Sequence, residues 1–100
     1  MAALVAAMAA LARRRWRRAR LRRLASARPG ASPALAIPIT AFDEIDAHLR
    51  HRRCACGGYL ERRGEGSREV AGQRYRVARL ECQDCERVEE VFFDTTDLLH

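Results

Sequence analysis

Hydrophobic and polar positions divide the chain into a helical N-terminal part and a C-terminal part with β-type alternation. Residues 3–24 contain no Gly or Pro and are rich in Ala, Leu and Arg, which favours a helix. Leu4, Met8 and Leu11 recur at helical spacing, but arginines then surround the segment, which leaves no clear buried face. We therefore predict an N-terminal arm that is helical or disordered.

A second, short helix is predicted to begin at Thr40, as N-cap, with Asp43 in the place of the capping-box acid. Phe42, Ile45 and Leu49 fall on one face of this helix, so we expect them in the core. The acidic side chains precede the basic ones, an order that matches the helix dipole at both ends.

From Gly58 onward the pattern is typical of β-strands, over four stretches: Tyr59–Arg63, Arg68–Val70, Gln73–Glu81 and Val88–Phe93. Gly64-Glu65-Gly66 is expected to end the first stretch, and Ala71-Gly72 to form a hairpin turn. The predicted core comprises eleven large apolar residues: Phe42, Ile45, Leu49, Tyr59, Leu60, Tyr75, Val77, Leu80, Val91, Phe92 and Phe93. The fold class is thus a small α+β domain, in which a short helix leads into a three-stranded antiparallel sheet.

Residues 25–39 are predicted to be a linker. Pro, Gly, Ser and Ala cluster there, and Pro29, Pro33 and Pro38 oppose regular structure. We place a domain boundary near residue 36, between an arm with its linker (residues 1–36) and a folded domain (residues 37–100).

Charge is distributed unevenly between these two parts. Residues 1–42 contain nine Arg and no acidic residue, whereas residues 43–100 contain ten Arg and thirteen acidic residues. A basic arm on a mildly acidic body is typical of a protein that meets nucleic acid or an anionic surface. The chain also lacks Lys and Asn, whose codons are AT-rich, which indicates a GC-rich and bacterial coding sequence.

The basic arm has several possible roles. Its arginines would neutralise phosphates while Trp16 stacks on a base. The same helix would also suit an anionic membrane surface or a transit-like leader, and translated sequence upstream of a later start would look similar. The candidate nucleic-acid contacts are Arg13, Arg14, Arg15, Trp16, Arg17, Arg18, Arg20, Arg22 and Arg23.

Four cysteines form two close pairs, Cys54 with Cys56 and Cys82 with Cys85, separated by 25 residues. Gly57 and Gly58 follow the first pair, and we expect both to let the backbone turn with positive φ. Thiolates suit Zn²⁺, and four of them fill its tetrahedral shell.

The N-terminus does not have the pattern of an export signal. The apolar stretch Met1–Ala12 precedes the basic stretch Arg13–Arg23, which is the reverse of the usual order, and it is too short to span a bilayer. We therefore expect a cytoplasmic protein in which reduced cysteines hold one structural Zn²⁺, since a body of this size needs support beyond its core.

Residues 54–94 resemble the zinc-ribbon family. They share its two Cys pairs, the glycines after the first pair (Gly57-Gly58) and the strands between the pairs. They are similar to small single-ribbon bacterial proteins of unassigned role. The resemblance implies two knuckles that supply Cys54, Cys56, Cys82 and Cys85 as ligands. The first pair is one residue shorter than usual, the spacer is longer, and Glu86 follows the second pair. His51, three residues before Cys54, is a possible alternative ligand.

The residues point to a protein that is not an enzyme. Four Cys ligands leave no open position for catalytic zinc, and no His-x-Glu deaminase signature is present. A redox dithiol at Cys82 and Cys85 is an alternative, although neighbouring acidic residues would raise the thiol pKa. The predicted function is a structural zinc ribbon in macromolecular interaction, with protein or nucleic acid as partner and no small-molecule substrate. A nucleic-acid-binding protein that uses Arg13–Arg23 is the other alternative.

Overall fold

Residues 2–98 are described by the computed structural model, and they form an α+β fold with a mixed sheet. The Ala- and Arg-rich arm is one long helix, in agreement with its propensity. No helix among the described residues is long and apolar enough to cross a membrane. In chain order the elements are α1 (Ala2–Ser26), a 3₁₀ turn (Pro33–Leu35), β1 (Ile37–Pro38), α2 (Asp43–His51), β2 (Leu60–Val70), β3 (Gln73–Cys82) and β4 (Val88–Asp94).

The sheet has four strands in the order β1-β4-β3-β2, so the prediction of three antiparallel strands needs correction. The three long strands are antiparallel, but the two-residue β1 adds to β4 in parallel, with Ile37 opposite Phe93. Residues 37–38 were predicted to be linker. They pair because the flanking apolar side chains are drawn into the core: Ile39 is buried, and its N–H donates to the Asp94 carbonyl at 3.1 Å.

Strand β2 runs through Gly64-Glu65-Gly66, where the sequence predicted that it would end. The ladder to β3 absorbs the glycines through a shift of register between Arg62 and Gly64, which is a β-bulge. The predicted hairpin turn at Ala71-Gly72 is present, and both residues have positive φ, 52° and 80°, as a type I′ turn requires.

Helix α2 begins at Asp43, three residues after the predicted N-cap Thr40. The capping acid is Glu44 instead of Asp43: its carboxylate accepts hydrogen bonds from the backbone N–H of Thr40 and, at 2.9 Å, of Ala41. These hydrogen bonds lower the pKa of Glu44. The helix begins later than predicted, and this start brings the Glu44 carboxylate, not that of Asp43, within hydrogen-bonding distance of the free N–H groups of Thr40 and Ala41.

The main core lies between α2 and one face of β3 and β4. Of the predicted core residues, Phe42 is 61% exposed because it precedes α2, and Tyr59 is 67% exposed with the Arg53 guanidinium 4.3 Å from its ring centroid. Tyr75, Val77 and Phe92 form a smaller cluster, which alternation along the strands places on the opposite face of the sheet. The buried residues of the main core are Ile39, Ile45, Ala78, Leu80, Val91 and Phe93.

The segment between α1 and β1 packs on β4. The Phe92 N–H donates to the Gly30 carbonyl at 2.7 Å, and a Cβ at Gly30 would lie 2.7 Å from Val91 Cγ1. Ala25 of α1 is also buried. The predicted boundary near residue 36, between residues 1–36 and 37–100, stays a prediction.

Candidate metal centre

The first cysteine pair lies on a tight turn between α2 and β2. Arg53 and Tyr59 form an antiparallel bridge across the base of this turn. Within it, the Cys54 N–H donates to the Gly58 carbonyl at 3.0 Å, and the Gly57 N–H donates to the Cys54 carbonyl at 2.8 Å. Gly57 has a φ of 90°, in the left-handed region that favours glycine, so the expectation for this residue is confirmed.

Gly58 is needed for space, not for the positive φ that the sequence predicted for it. Its φ is not positive, but a Cβ at this position would lie 2.8 Å from the Cys82 Sγ and 2.5 Å from Asp84 Oδ2. Only a residue without a side chain therefore allows the two cysteine turns to approach each other this closely.

The second pair lies on the turn that joins β3 to β4. The Cys82 N–H donates to the Arg87 carbonyl at 2.8 Å, and the Glu86 N–H donates to the Cys82 carbonyl at 3.1 Å. Glu86 follows Cys85, at the position where the first pair is followed by Gly57, and its φ of 61° lies in the left-handed region. The two turns are tied together by a hydrogen bond of 2.9 Å from the Gln83 N–H to the Tyr59 carbonyl.

The four cysteine sulfurs converge on one point. All four Sγ atoms lie within 4.8 Å of one another, with 3.6 Å between Cys54 and Cys85 and 3.5 Å between Cys56 and Cys82. Four sulfurs at the usual zinc–sulfur distance of about 2.3 Å would be separated by about 3.8 Å in a tetrahedron. The cysteines are free thiols in the structure. The cluster therefore has the dimensions of a tetrahedral thiolate metal site.

The cluster combines buried and accessible sulfur. Cys54 and Cys82 are buried, Cys56 is half-buried and Cys85 is exposed. Burial raises the pKa of the Cys54 thiol to about 12. Burial also raises the pKa of Cys82, but hydrogen bonds from the backbone N–H of Cys85 and Asp84, together with those from the Cys56 and Cys85 thiols, outweigh it and lower this pKa to about 7. The expectation that acidic neighbours raise this pKa is therefore wrong for Cys82.

The structure brings together the four cysteines predicted as ligands but not the predicted histidine. Cys54, Cys56, Cys82 and Cys85 all belong to the cluster. His51 is the exposed last residue of α2 and is not a member of the cluster, and its role as an alternative ligand stays a prediction.

The predicted nucleic-acid contacts all lie on α1. Trp16 is 58% exposed, with the Arg20 guanidinium 5.5 Å from its ring centroid. Within residues 2–98, none of the eight arginines between 13 and 23 forms an ion pair with an acidic side chain. Arg87, two residues after Cys85, was not among the predicted nucleic-acid contacts; its position next to the second Cys pair was the available signal.

Comparisons with protein-family models, with curated proteins and with solved structures give no match for this chain.

Proposed function

We propose that the chain is a non-catalytic interaction module whose fold is held by one structural Zn²⁺ bound to Cys54, Cys56, Cys82 and Cys85. The observation that carries this proposal is the convergence of four free thiols from two separate turns within 4.8 Å. Four thiolates saturate a tetrahedral ion, which leaves no position for a substrate, so the metal's contribution is to folding.

The rest of the fold supports a structural role for the metal. Among the described residues the main core has six buried members, and one backbone hydrogen bond, from the Gln83 N–H to the Tyr59 carbonyl, links the two cysteine turns. Structural zinc in small peptides contributes on the order of 10–16 kcal/mol at neutral pH. A contribution of that size decides whether a domain with such a small core is folded.

Metal analysis of the full chain, purified under reducing conditions without added metal, tests this proposal. We expect one zinc per chain and a cooperative loss of the β-sheet signal on chelation. Cys82→Ser should lose the metal, whereas Asp84→Asn, on the same turn, should keep it. Bound iron in place of zinc would change the identity of the metal and leave the structural role of the site unchanged. A metal-free, folded protein with a reversible Cys82–Cys85 disulfide would establish the redox alternative and remove the proposal.

Nucleic acid is the partner that the charges favour. The arginines of α1 have no acidic partners among the described residues, so their charge is available to phosphates. Binding of a labelled oligonucleotide to the full, zinc-loaded chain should weaken steeply with salt. Affinity that does not respond to salt would exclude this partner.

A further inference from the structure

A cleft lies where α1 passes the second cysteine turn. It has a volume of about 740 Å³, with Arg15, Arg18 and Arg22 on the α1 side and Cys85 and Arg87 on the side of the turn. We name the four arginines Arg15, Arg18, Arg22 and Arg87 the basic cleft. It is the place where the N-terminal arm and the candidate metal centre meet.

Helix geometry explains why only some of the arginines of α1 take part. Arg15, Arg18 and Arg22 are spaced by three and four residues, which places them on one face of the helix. At about 100° per residue, Arg13 and Arg17 point to a different side, well away from Arg18 and Arg22. The arm therefore has a cleft face and an outer face, although its composition is equally basic on both.

Arg87 is positioned by the turn that carries the metal ligands. Its carbonyl accepts a hydrogen bond from the Cys82 N–H at 2.8 Å, which ties Arg87 to a candidate metal ligand. Arg87 itself is half-buried, and no ion pair within residues 2–98 occupies its guanidinium. The fourth cation of the cleft thus depends on an ordered second turn.

We propose that the basic cleft binds the phosphate backbone of single-stranded nucleic acid, and that the metal-loaded turn is part of this binding site. The proposal rests on the proposed function, because the metal orders the turn that holds Arg87. Four guanidiniums around one cleft, none with an ion pair among the described residues, match a chain of phosphates. Trp16 is exposed on a neighbouring side of α1, about 100° around the helix from Arg15, where it offers a stacking surface to unpaired bases of a strand whose phosphates occupy the cleft.

An anionic membrane is the less suitable partner. Helices that lie on membranes separate their apolar and charged residues into two faces, whereas α1 shows no such segregation. Its exposed apolar side chains Leu4, Val5, Met8 and Leu11 precede the arginine-rich half and do not lie opposite to it. A narrow polymer can also enter a cleft, whereas the flat surface of a membrane cannot.

Two matched pairs of substitutions in the full chain test the proposal. Arg18→Ala with Arg22→Ala alters the cleft, and Arg13→Ala with Arg17→Ala alters the outer face; both pairs are four residues apart and remove the same charge. We measure binding of fluorescein-labelled oligothymidylate by anisotropy as a function of salt. The cleft pair should weaken binding at least tenfold and the outer pair less than threefold. The negative slope of log affinity against log salt concentration should become shallower by about 1.4 for the cleft pair, since each lost phosphate contact removes about 0.7 from its magnitude.

The contribution of the metal turn is measured in the same assay. Arg87→Ala should weaken binding about fivefold in zinc-loaded protein and have no further effect after chelation. Arg74→Ala, an exposed arginine of β3 without an ion pair among the described residues, should have little effect in either state. An Arg87→Ala effect that survives chelation would show that the cleft does not depend on the metal and would overturn that half of the proposal.

Failure of the proposal differs from failure of the proposed function. Equal weakening by the cleft pair and the outer pair would show diffuse electrostatic attraction and overturn the site, whatever the zinc content. Absence of zinc would remove the proposed function, while the two arginine pairs would still decide whether the cleft binds. Binding to phosphatidylglycerol vesicles, without binding to the oligonucleotide, would assign the arm to a membrane and refute the proposal.

Discussion

Gly58 lies directly against Cys82, and a Cβ at Gly58 would be 2.8 Å from the Cys82 sulfur. Cys82 is 1% exposed at the end of β3, so its sulfur has little freedom to move away. This contact sets how closely the two cysteine turns approach each other. The glycine pair after Cys56 therefore has two separate roles: Gly57 allows the left-handed backbone, and Gly58 leaves room for the sulfur.

Substitution of Gly58 by alanine should impair the metal centre. The added methyl group would force the turns apart, and overpacking of this kind costs about 1–3 kcal/mol. We expect Gly58→Ala to lower the free energy of unfolding by that amount and to weaken zinc binding in a chelator competition. Gly66→Ala is the control, because a Cβ there meets nothing within 4 Å and its φ is not positive. Equal behaviour of the two variants would refute the role of Gly58.

Glu86 is a non-glycine residue with a left-handed φ of 61°. A left-handed conformation costs a residue with a side chain roughly 1–2 kcal/mol, and glycine avoids most of this cost. Glu86→Gly should therefore stabilise the metal-loaded protein by about 1 kcal/mol, measured by denaturant unfolding. Glu86→Gln separates the backbone effect from the charge effect, because it removes the negative charge beside the thiolates but keeps the side chain. A Gly variant no more stable than the Gln variant would contradict the backbone explanation.

The cysteine cluster was the most predictable part of the molecule. Each Cys pair is local in sequence, and thiolate chemistry restricts what four of them can do, so the convergence of the two pairs could be predicted from the sequence. The left-handed backbone at Gly57 and the hairpin at Ala71-Gly72 were predictable for the same reason, since each depends on one or two residues.

Features that depend on distant contacts were not predictable. Ile37 and Ile39 looked like linker because prolines surround them, and only the position of β4 explains why they pair and become buried. Likewise, the Gly64-Glu65-Gly66 segment stays in β2 because β3 supplies a partner strand across the bulge. The basic cleft requires the placement of α1 beside Arg87, which no local pattern contains.

Arg52 and Glu89 form the least exposed ion pair among the described residues, at 2.9 Å, with side chains 9% and 11% exposed. Arg52 also donates to the Pro29 carbonyl at 2.7 Å, so it joins the end of α2 to β4 and to the segment that follows α1. Arg52→Ala would leave the Glu89 carboxylate nearly buried without its partner, and we expect a loss of about 3 kcal/mol.

The exposed pair between Arg63 and Glu81 provides the comparison, with an N–O distance of 2.7 Å but side chains 48% and 32% exposed. Arg63→Ala should cost less than about 1 kcal/mol, because solvent screens this pair. Urea unfolding of the zinc-loaded variants measures both losses. A smaller loss for Arg52→Ala than for Arg63→Ala would show that the Arg52–Glu89 pair does not join these elements.

Metal binding to the four cysteines should release protons. Burial raises the pKa of Cys54 to about 12, and desolvation together with hydrogen bonds from Cys56 and Cys82 raises the pKa of Cys85. Both thiols are therefore protonated in the metal-free protein at neutral pH, and both must ionise to bind a metal. We expect at least two protons to leave per zinc bound at pH 7.5, so the apparent affinity should rise with pH and fall as the solution is acidified.

Calorimetric titration with zinc in two buffers of different ionisation enthalpy counts these protons directly. The zinc affinity, measured by chelator competition from pH 6.5 to pH 8.5, should increase about a hundredfold or more per pH unit, as a release of two protons requires. Glu69→Gln, at the end of β2 away from the cysteine turns, should show the same slope. Release of fewer than two protons would mean that Cys54 or Cys85 either ionises without the metal or does not bind it.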